Sequence, residues 1–171
     1  MSDSLRAFSR SLPMALLRAR EAVMERFRPL LARHRLSEQQ WRVLRALGSV
    51  DAVTARALAE MTFISAPSLS RILRNLEHRE LIARRRPARD RRTTALSLTP
   101  RGAALIDRVG PQSESTYAAI GQEVGRRRLQ QLFALLEEVT TGLRGADTGA
   151  PVRRRRTPHP TVRSSRRTRR A

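Results

Sequence analysis

SAPSLSRILRNLEHRELIARRRPARDRRTTALSLT, Ser65 to Thr99, changes its period halfway along. Up to His78 the apolar residues Leu69, Ile72, Leu73 and Leu76 recur at helical spacing, which predicts a helix with Ser65 as N-cap and Pro67 in its first turn. From Leu81 the pattern turns β-like. LIARRR and TALSLT are two short strand-type runs around Pro-Ala-Arg-Asp-Arg-Arg, and together they predict a hairpin with a charged tip. The helix leaves Pro67, Ser68, Ser70, Arg71 and Arg74 on or beside its polar side. Hydroxyls and guanidinia suit base edges and phosphates in a major groove, where Arg can bind guanine through two hydrogen bonds. A solvated basic helix would have the same composition; the hairpin behind this one favours a winged helix-turn-helix.

At the wing tip, Arg89, Arg91 and Arg92 are too close together to be buried and repel one another without a counter-ion. Phosphates, or the deepened negative potential of a narrow minor groove, supply one. Asp90 would weaken phosphate affinity if it faced DNA, so it is expected to turn inward and fix the tip through backbone amides or an arginine.

Working outward, SLPMALLRAREAVMERFRPLLARH places Leu16, Val23, Phe27, Leu30, Leu31 and His34 on one stripe of a first helix. SEQQWRVLRALG carries a capping-box spacing, Ser37 with Gln40, and stops at Gly48. TARALAEM from Thr54 predicts a short third helix. Beyond the hairpin, Thr99 caps a helix with Pro100 in its first position, expected to run to about Gly121 with a bend or break at Gly110-Pro111. A last helix spaces Leu129, Leu132, Phe133, Leu136, Val139 and Leu143 helically. The expected fold is mainly α with a small β-hairpin wing, the DNA-binding unit at about 37–99 flanked by long first and last helices.

Charge agrees with a polyanionic partner. The chain has 171 residues, net charge +20 and no Lys, so arginine supplies every fixed cation. Nine arginines and no acid lie from Pro151 on, which predicts a disordered tail over 145–171, either inert or adding non-specific phosphate affinity. Residues 1–150 keep twenty-six arginines against fifteen acids and are basic in their own right. The absence of Cys removes disulfides, thiol switches and Cys-based metal sites. No secretory signal or long apolar run is apparent, so a cytoplasmic, nucleoid-associated protein without membrane contact is expected.

ARALAEMTFISAPSLSRILRNLEHRELIARRRPARDRRTTALSLTPRG resembles the winged helix-turn-helix of the MarR family of bacterial regulators, including the Asp-Arg-Arg wing and the following Leu-Thr-x-x-Gly. ALLRAREAVMERFRPLLARHRLSEQQWRVLRAL is similar to the first two helices of that family's homoprotocatechuate-operon regulators, the HpaR subgroup. The resemblance implies a homodimer, joined through the first and last helices, that binds a palindromic operator on double-stranded DNA and releases it when a phenolic acid binds. It also implies that Arg92 enters the minor groove with Asp90 supporting it. Glu80 departs from the family pattern, standing where Gly is usual at a turn that often needs positive φ.

For the effector, helical periodicity puts Arg20 about 40° from Leu16, on the apolar stripe with Phe27 and His34. A buried arginine needs an anion, either an internal or dimer-interface carboxylate or that of an arylacetate ligand. Under the second alternative His34 and Trp41 line an aromatic pocket beside Arg20, although either can equally be a packing residue. No catalytic constellation, cofactor motif or metal-ligand cluster is present: His34, His78 and His159 are scattered. Without Cys a peroxide sensor is disfavoured. The competing function is a non-specific nucleic-acid packaging protein, which would need neither dimer-type helices nor an apolar-face arginine.

Overall fold

The computed structural model describes residues 8–85 and 94–147. A short 3-10 turn, Phe8–Arg10, precedes α1 (Leu12–Arg33), α2 (Glu38–Leu47), β1 (Val53–Thr54), α3 (Ala55–Thr62), α4 (Ala66–His78), β2 (Ile82–Arg85), β3 (Ala95–Leu98), α5 (Pro100–Val124) and α6 (Arg126–Asp147). The chain divides after Arg126 into two compact units.

In the first unit the core gathers one face of every helix. Val43, Leu44 and Leu47 of α2, Leu58 of α3, Leu69, Leu73 and Leu76 of α4, and Leu96 of β3 are almost wholly excluded from solvent. Phe27, Leu30 and Leu31 of α1 and Leu105 and Val109 of α5 extend that core. At about 25 cal/mol per Å2, apolar burial on this scale is what opposes chain entropy in a small domain.

Local chemistry sets the helix ends. Ser37 and Gln40 form the full capping box, with Gln40 N donating to Ser37 Oγ at 3.1 Å and Ser37 N donating to Gln40 Oε1 at 2.8 Å. Thr54 and Thr99 cap α3 and α5 by accepting from Ala57 N and Gly102 N. Ser65 holds the N-cap position of α4 without a side-chain bond to the helix backbone; its hydroxyl donates to Ser68 Oγ at 3.1 Å instead.

α1 and α4 end alike. Leu36 N donates to Leu31 O and Arg35 N to Ala32 O, while Leu81 N donates to Leu76 O and Glu80 N to Glu77 O. Both are Schellman caps, closed by a buried leucine pair, Leu31 with Leu36 and Leu76 with Leu81. The left-handed position that glycine usually fills is occupied by Arg35 at φ 53° and Glu80 at φ 57°. The turn at Glu80 does have positive φ, and its cap forms completely despite the side chain.

Three expectations need correction. The sheet has three antiparallel strands in the order β1-β3-β2, with Val53 opposite Leu96 and Ile82 opposite Leu98, so the hairpin gains a strand from before α3. α5 runs unbroken through Gly110-Pro111 and on to Val124, because Pro111 lies on an exposed face where water can serve the carbonyl left without its N–H. Along the α1 stripe only Phe27, Leu30 and Leu31 are buried, while Leu16 and Val23 are exposed.

In the second unit, α6 leaves Leu132, Phe133, Leu135, Val139 and Leu143 exposed. A helix with so much uncovered apolar surface is not stable alone in water and requires a partner surface.

Candidate nucleic-acid interface

α4 is amphipathic in the expected sense. Leu69, Ile72, Leu73 and Leu76 are buried, Pro67, Ser70, Arg71 and Arg74 are exposed, and Ser68 is half-buried. Positions 67, 70, 71 and 74 follow the i, i+3, i+4, i+7 rule, so they form one outward face. Among the described residues no hydrogen bond or ion pair occupies the side chains of Ser70, Arg71 or Arg74, which leaves their donors available to an external acceptor. The turn before α4 exposes Phe63, held at φ 52°.

Other contacts fix the direction of this helix. Gln40 Nε2 donates to Asn75 Oδ1 at 2.7 Å, tying α2 to α4. Arg84 Nε donates to Glu77 Oε1 at 2.6 Å, tying the base of the wing to the same helix. Gly102 follows Thr99 at the start of α5, where a Cβ would lie 2.0 Å from the carbonyl oxygen of Leu81; only glycine lets α5 approach the hairpin this closely. The wing-tip candidates Arg89, Asp90, Arg91 and Arg92 lie outside the described residues, as does the tail from 148 on.

Among the described residues no hydrogen bond, ion pair or ring contact joins the three effector candidates to one another. Arg20 is not buried: its side chain is 40% exposed, and it donates to Glu21 Oε1 and Glu38 Oε2, each at 2.5 Å. Arg28 completes the cluster, bonding Glu21 and donating to Glu38 Oε1 at 2.7 Å. Periodicity gives only an angle on α1; α2 brings Glu38 alongside, and a charged cluster at the surface takes the place of a buried cation.

His34 is half-buried at the end of α1, with its Nε2 3.4 Å from Gln112 Nε2, and lines a cavity of about 540 Å3 to which neither Arg20 nor Trp41 contributes. Trp41 is buried, and the guanidinium beside it is that of Arg45, 5.9 Å above its ring. Arg45 is exposed, with Glu114 of α5 at 3.8 Å. Tyr117, one turn beyond Glu114, stacks at a tilt on Phe27 with ring centroids 4.8 Å apart. Ser113 Oγ, on the same helix, is buried without a partner among the described residues. The Trp41–Arg45 spacing of four residues was the available sequence signal for this pairing.

Among the described residues no cluster of His, Cys, Asp and Glu could hold a metal ion, and no described helix is long and apolar enough to cross a membrane.

This arrangement has known counterparts. A model of the MarR family matches residues 36–93. The homoprotocatechuate degradative operon repressor of Escherichia coli is 43% identical over 128 residues, spanning 75% of this chain and 86% of that protein. The crystal structure of NadR in complex with 4-hydroxyphenylacetate is similar with a TM-score of 0.73 and 34% identity, covering 80% of this chain and 99% of NadR. The transcriptional repressor CouR, bound to a 23-mer DNA duplex, gives a TM-score of 0.71 at 27% identity, over 81% of this chain and 99% of CouR. The chain belongs to the MarR family. It is accordingly a DNA-binding transcriptional regulator of the winged-helix type, not an enzyme.

Proposed function

We propose that the chain is a homodimeric repressor of an aromatic-acid catabolic operon, seated on a palindromic operator in the nucleoid and released by an arylacetate or related phenolic acid. The outward face of α4, with Arg71 and Arg74 unpaired beside a fully buried leucine face, carries this reading. Exposed apolar residues supply the surface for a second copy: Leu16 and Val23 on α1, and Phe133 and Leu143 on α6. The repressor from Escherichia coli governs homoprotocatechuate degradation by name, and NadR holds 4-hydroxyphenylacetate, which favours that ligand class here.

Within this scheme the ligand ring packs near Trp41 and its carboxylate pairs with Arg45, whose guanidinium already stands over the indole. Arg20 is the less available anchor because Glu21 and Glu38 occupy it. The arginines of the wing tip and tail add phosphate contacts and with them salt dependence.

The experiment is footprinting on the promoter beside the protein's own gene, followed by titration with 4-hydroxyphenylacetate. Protection of a palindrome that is lost on adding ligand supports the proposal; equal affinity for random DNA would make the protein a packaging factor. Arg45→Ala is expected to bind the operator normally and to respond poorly to ligand, whereas Arg20→Ala should respond. The opposite pattern would return the anchor to Arg20.

A further inference from the structure

Five arginines line the cavity of about 540 Å3 to which His34 contributes, together with His78, Leu81 and Leu105. It opens where α1 ends, α4 ends and α5 begins, with Arg33, Arg35, Arg79, Arg101 and Arg108 around a floor that includes Leu105, and no carboxylate among the lining residues. Two of these guanidinia are engaged within the chain. Arg79 Nη1 donates to the carbonyl of Arg35 at 2.9 Å, and Arg101 Nη1 donates to Glu80 Oε2 at 2.7 Å. Among the described residues, the side chains of Arg33, Arg35 and Arg108 have no hydrogen-bonded or ion-paired partner.

Cations collect near helix C-termini because the last carbonyls carry partial negative charge, and Arg79 serves that purpose. The same reason does not cover Arg108, which sits inside α5 more than two turns from its start. Arg35, just past the end of α1, shares that reason, although its left-handed backbone would be unstrained as glycine. Like charges around one hollow repel, and a bound polyanion relieves that repulsion. Guanidinium forks match phosphate oxygens two at a time.

The volume falls in the range of about 300–1,000 Å3 typical of small-molecule sites, yet among the described residues Leu81 and Leu105 are the only aliphatic side chains in the lining, beside five arginines and two imidazoles. An arylacetate, with one carboxylate and an apolar ring, fits this chemistry poorly. A DNA backbone is disfavoured by position. His78, which also lines the hollow, lies eleven residues beyond Pro67, about 16 Å along α4 from the helix's first turn and about 10 Å beyond Arg71.

We propose that this cavity is a second effector site, separate from that for the aromatic acid, and that it takes a small phosphate-bearing anion of charge −2 or more, such as a polyphosphate or a phosphorylated metabolite. Bound there, the anion bridges the ends of α1 and α4 and the first turns of α5, and so biases the position of the recognition helix relative to α1. Operator affinity then changes by the difference in anion affinity between the two positions. Binding of the anion is independent of the aromatic-acid proposal, whereas its effect on DNA rests on the protein being an operator-binding regulator.

The test is calorimetric titration of the full chain with inorganic tripolyphosphate at moderate salt, using the unmodified protein, Arg35→Gln/Arg108→Gln, and Arg71→Ala/Arg74→Ala. A saturable component weakened roughly tenfold or more in the first variant and unchanged in the second is expected. Equal binding by all three proteins, or loss only in the α4 variant, puts the anion on the tail, wing or DNA face and overturns the proposal. Circular dichroism checks folding; if the double variant is misfolded, Arg108→Gln alone, at an exposed position inside α5, must show the weakening. At constant ionic strength tripolyphosphate should shift operator affinity of the unmodified protein and not of the cavity variant, while both still release DNA with 4-hydroxyphenylacetate. No shift in the unmodified protein overturns the effector role.

Discussion

Gln40 bonds in two directions: its Nε2 donates to Asn75 Oδ1 at 2.7 Å, and its Oε1 accepts from Ser37 N at 2.8 Å. One side chain thus completes the cap of α2 and pins the recognition helix to it. Gln40→Ala removes both bonds and is expected to cost about 1–2 kcal/mol of stability, and Asn75→Ala about 1 kcal/mol. Chemical denaturation of the two single variants and the double should reveal a coupling energy of about 0.5–1.5 kcal/mol. Strict additivity would mean that the Gln40–Asn75 bond contributes nothing measurable.

Glu80→Gly should stabilise the protein slightly. A left-handed non-glycine residue costs about 1–2 kcal/mol, while glycine adds about 0.4–1 kcal/mol of unfolded-state entropy. The lost ion pair with Arg101 is solvent-exposed and contributes little. A net gain below about 1 kcal/mol follows, seen as a small rise in melting temperature. A fall of that size would show that Glu80 makes a stabilising contact large enough to offset its backbone.

Much of this architecture was legible because it is local. The Ser37–Gln40 box, the Thr99–Pro100 start and the leucine face of α4 each reside within one helical turn or one period, and each forms as expected. What failed depends on distant partners. β1 is only Val53–Thr54 and is recognisable as a strand only by its pairing with β3. Arg20 looked like a cation facing a core because periodicity reports an angle on α1 and cannot reveal that α2 delivers Glu38. The arginine cavity was equally invisible: its cations come from the ends of α1 and α4, each closed by a Schellman turn, and from the first turns of α5.

The Arg20–Glu21–Arg28–Glu38 cluster predicts a pH effect. Partial burial pushes the Glu38 carboxyl up, but hydrogen bonds from Arg28 and Arg20 outweigh it and hold the group below the usual carboxylate range. A carboxyl lowered by folding stabilises the native state above its unfolded value, about 4.3 for Glu, and that contribution disappears as pH falls through the folded value. Glu38→Gln should therefore be less stable than the unmodified protein near neutrality, with the difference narrowing below about pH 4. Urea unfolding at a series of pH values measures it, and a difference that stays constant into acid would assign the effect to packing.

Arg71→Ala separates base reading from phosphate contact on the recognition helix. Arg71 shares its outward face with Pro67, Ser70 and Arg74 and lies one turn beyond Pro67, so entry of the first turns into a major groove brings its guanidinium to the base edges. A bidentate contact to guanine discriminates by about 1–3 kcal/mol, and its removal should weaken operator binding by that much more than binding to random duplex. Fluorescence polarisation on both duplexes over a range of salt supplies the comparison. If Arg71 only neutralises a phosphate, affinity falls equally on the two duplexes and the salt slope becomes shallower by about one. That pattern would shift sequence reading to Arg74, Ser70 or the wing.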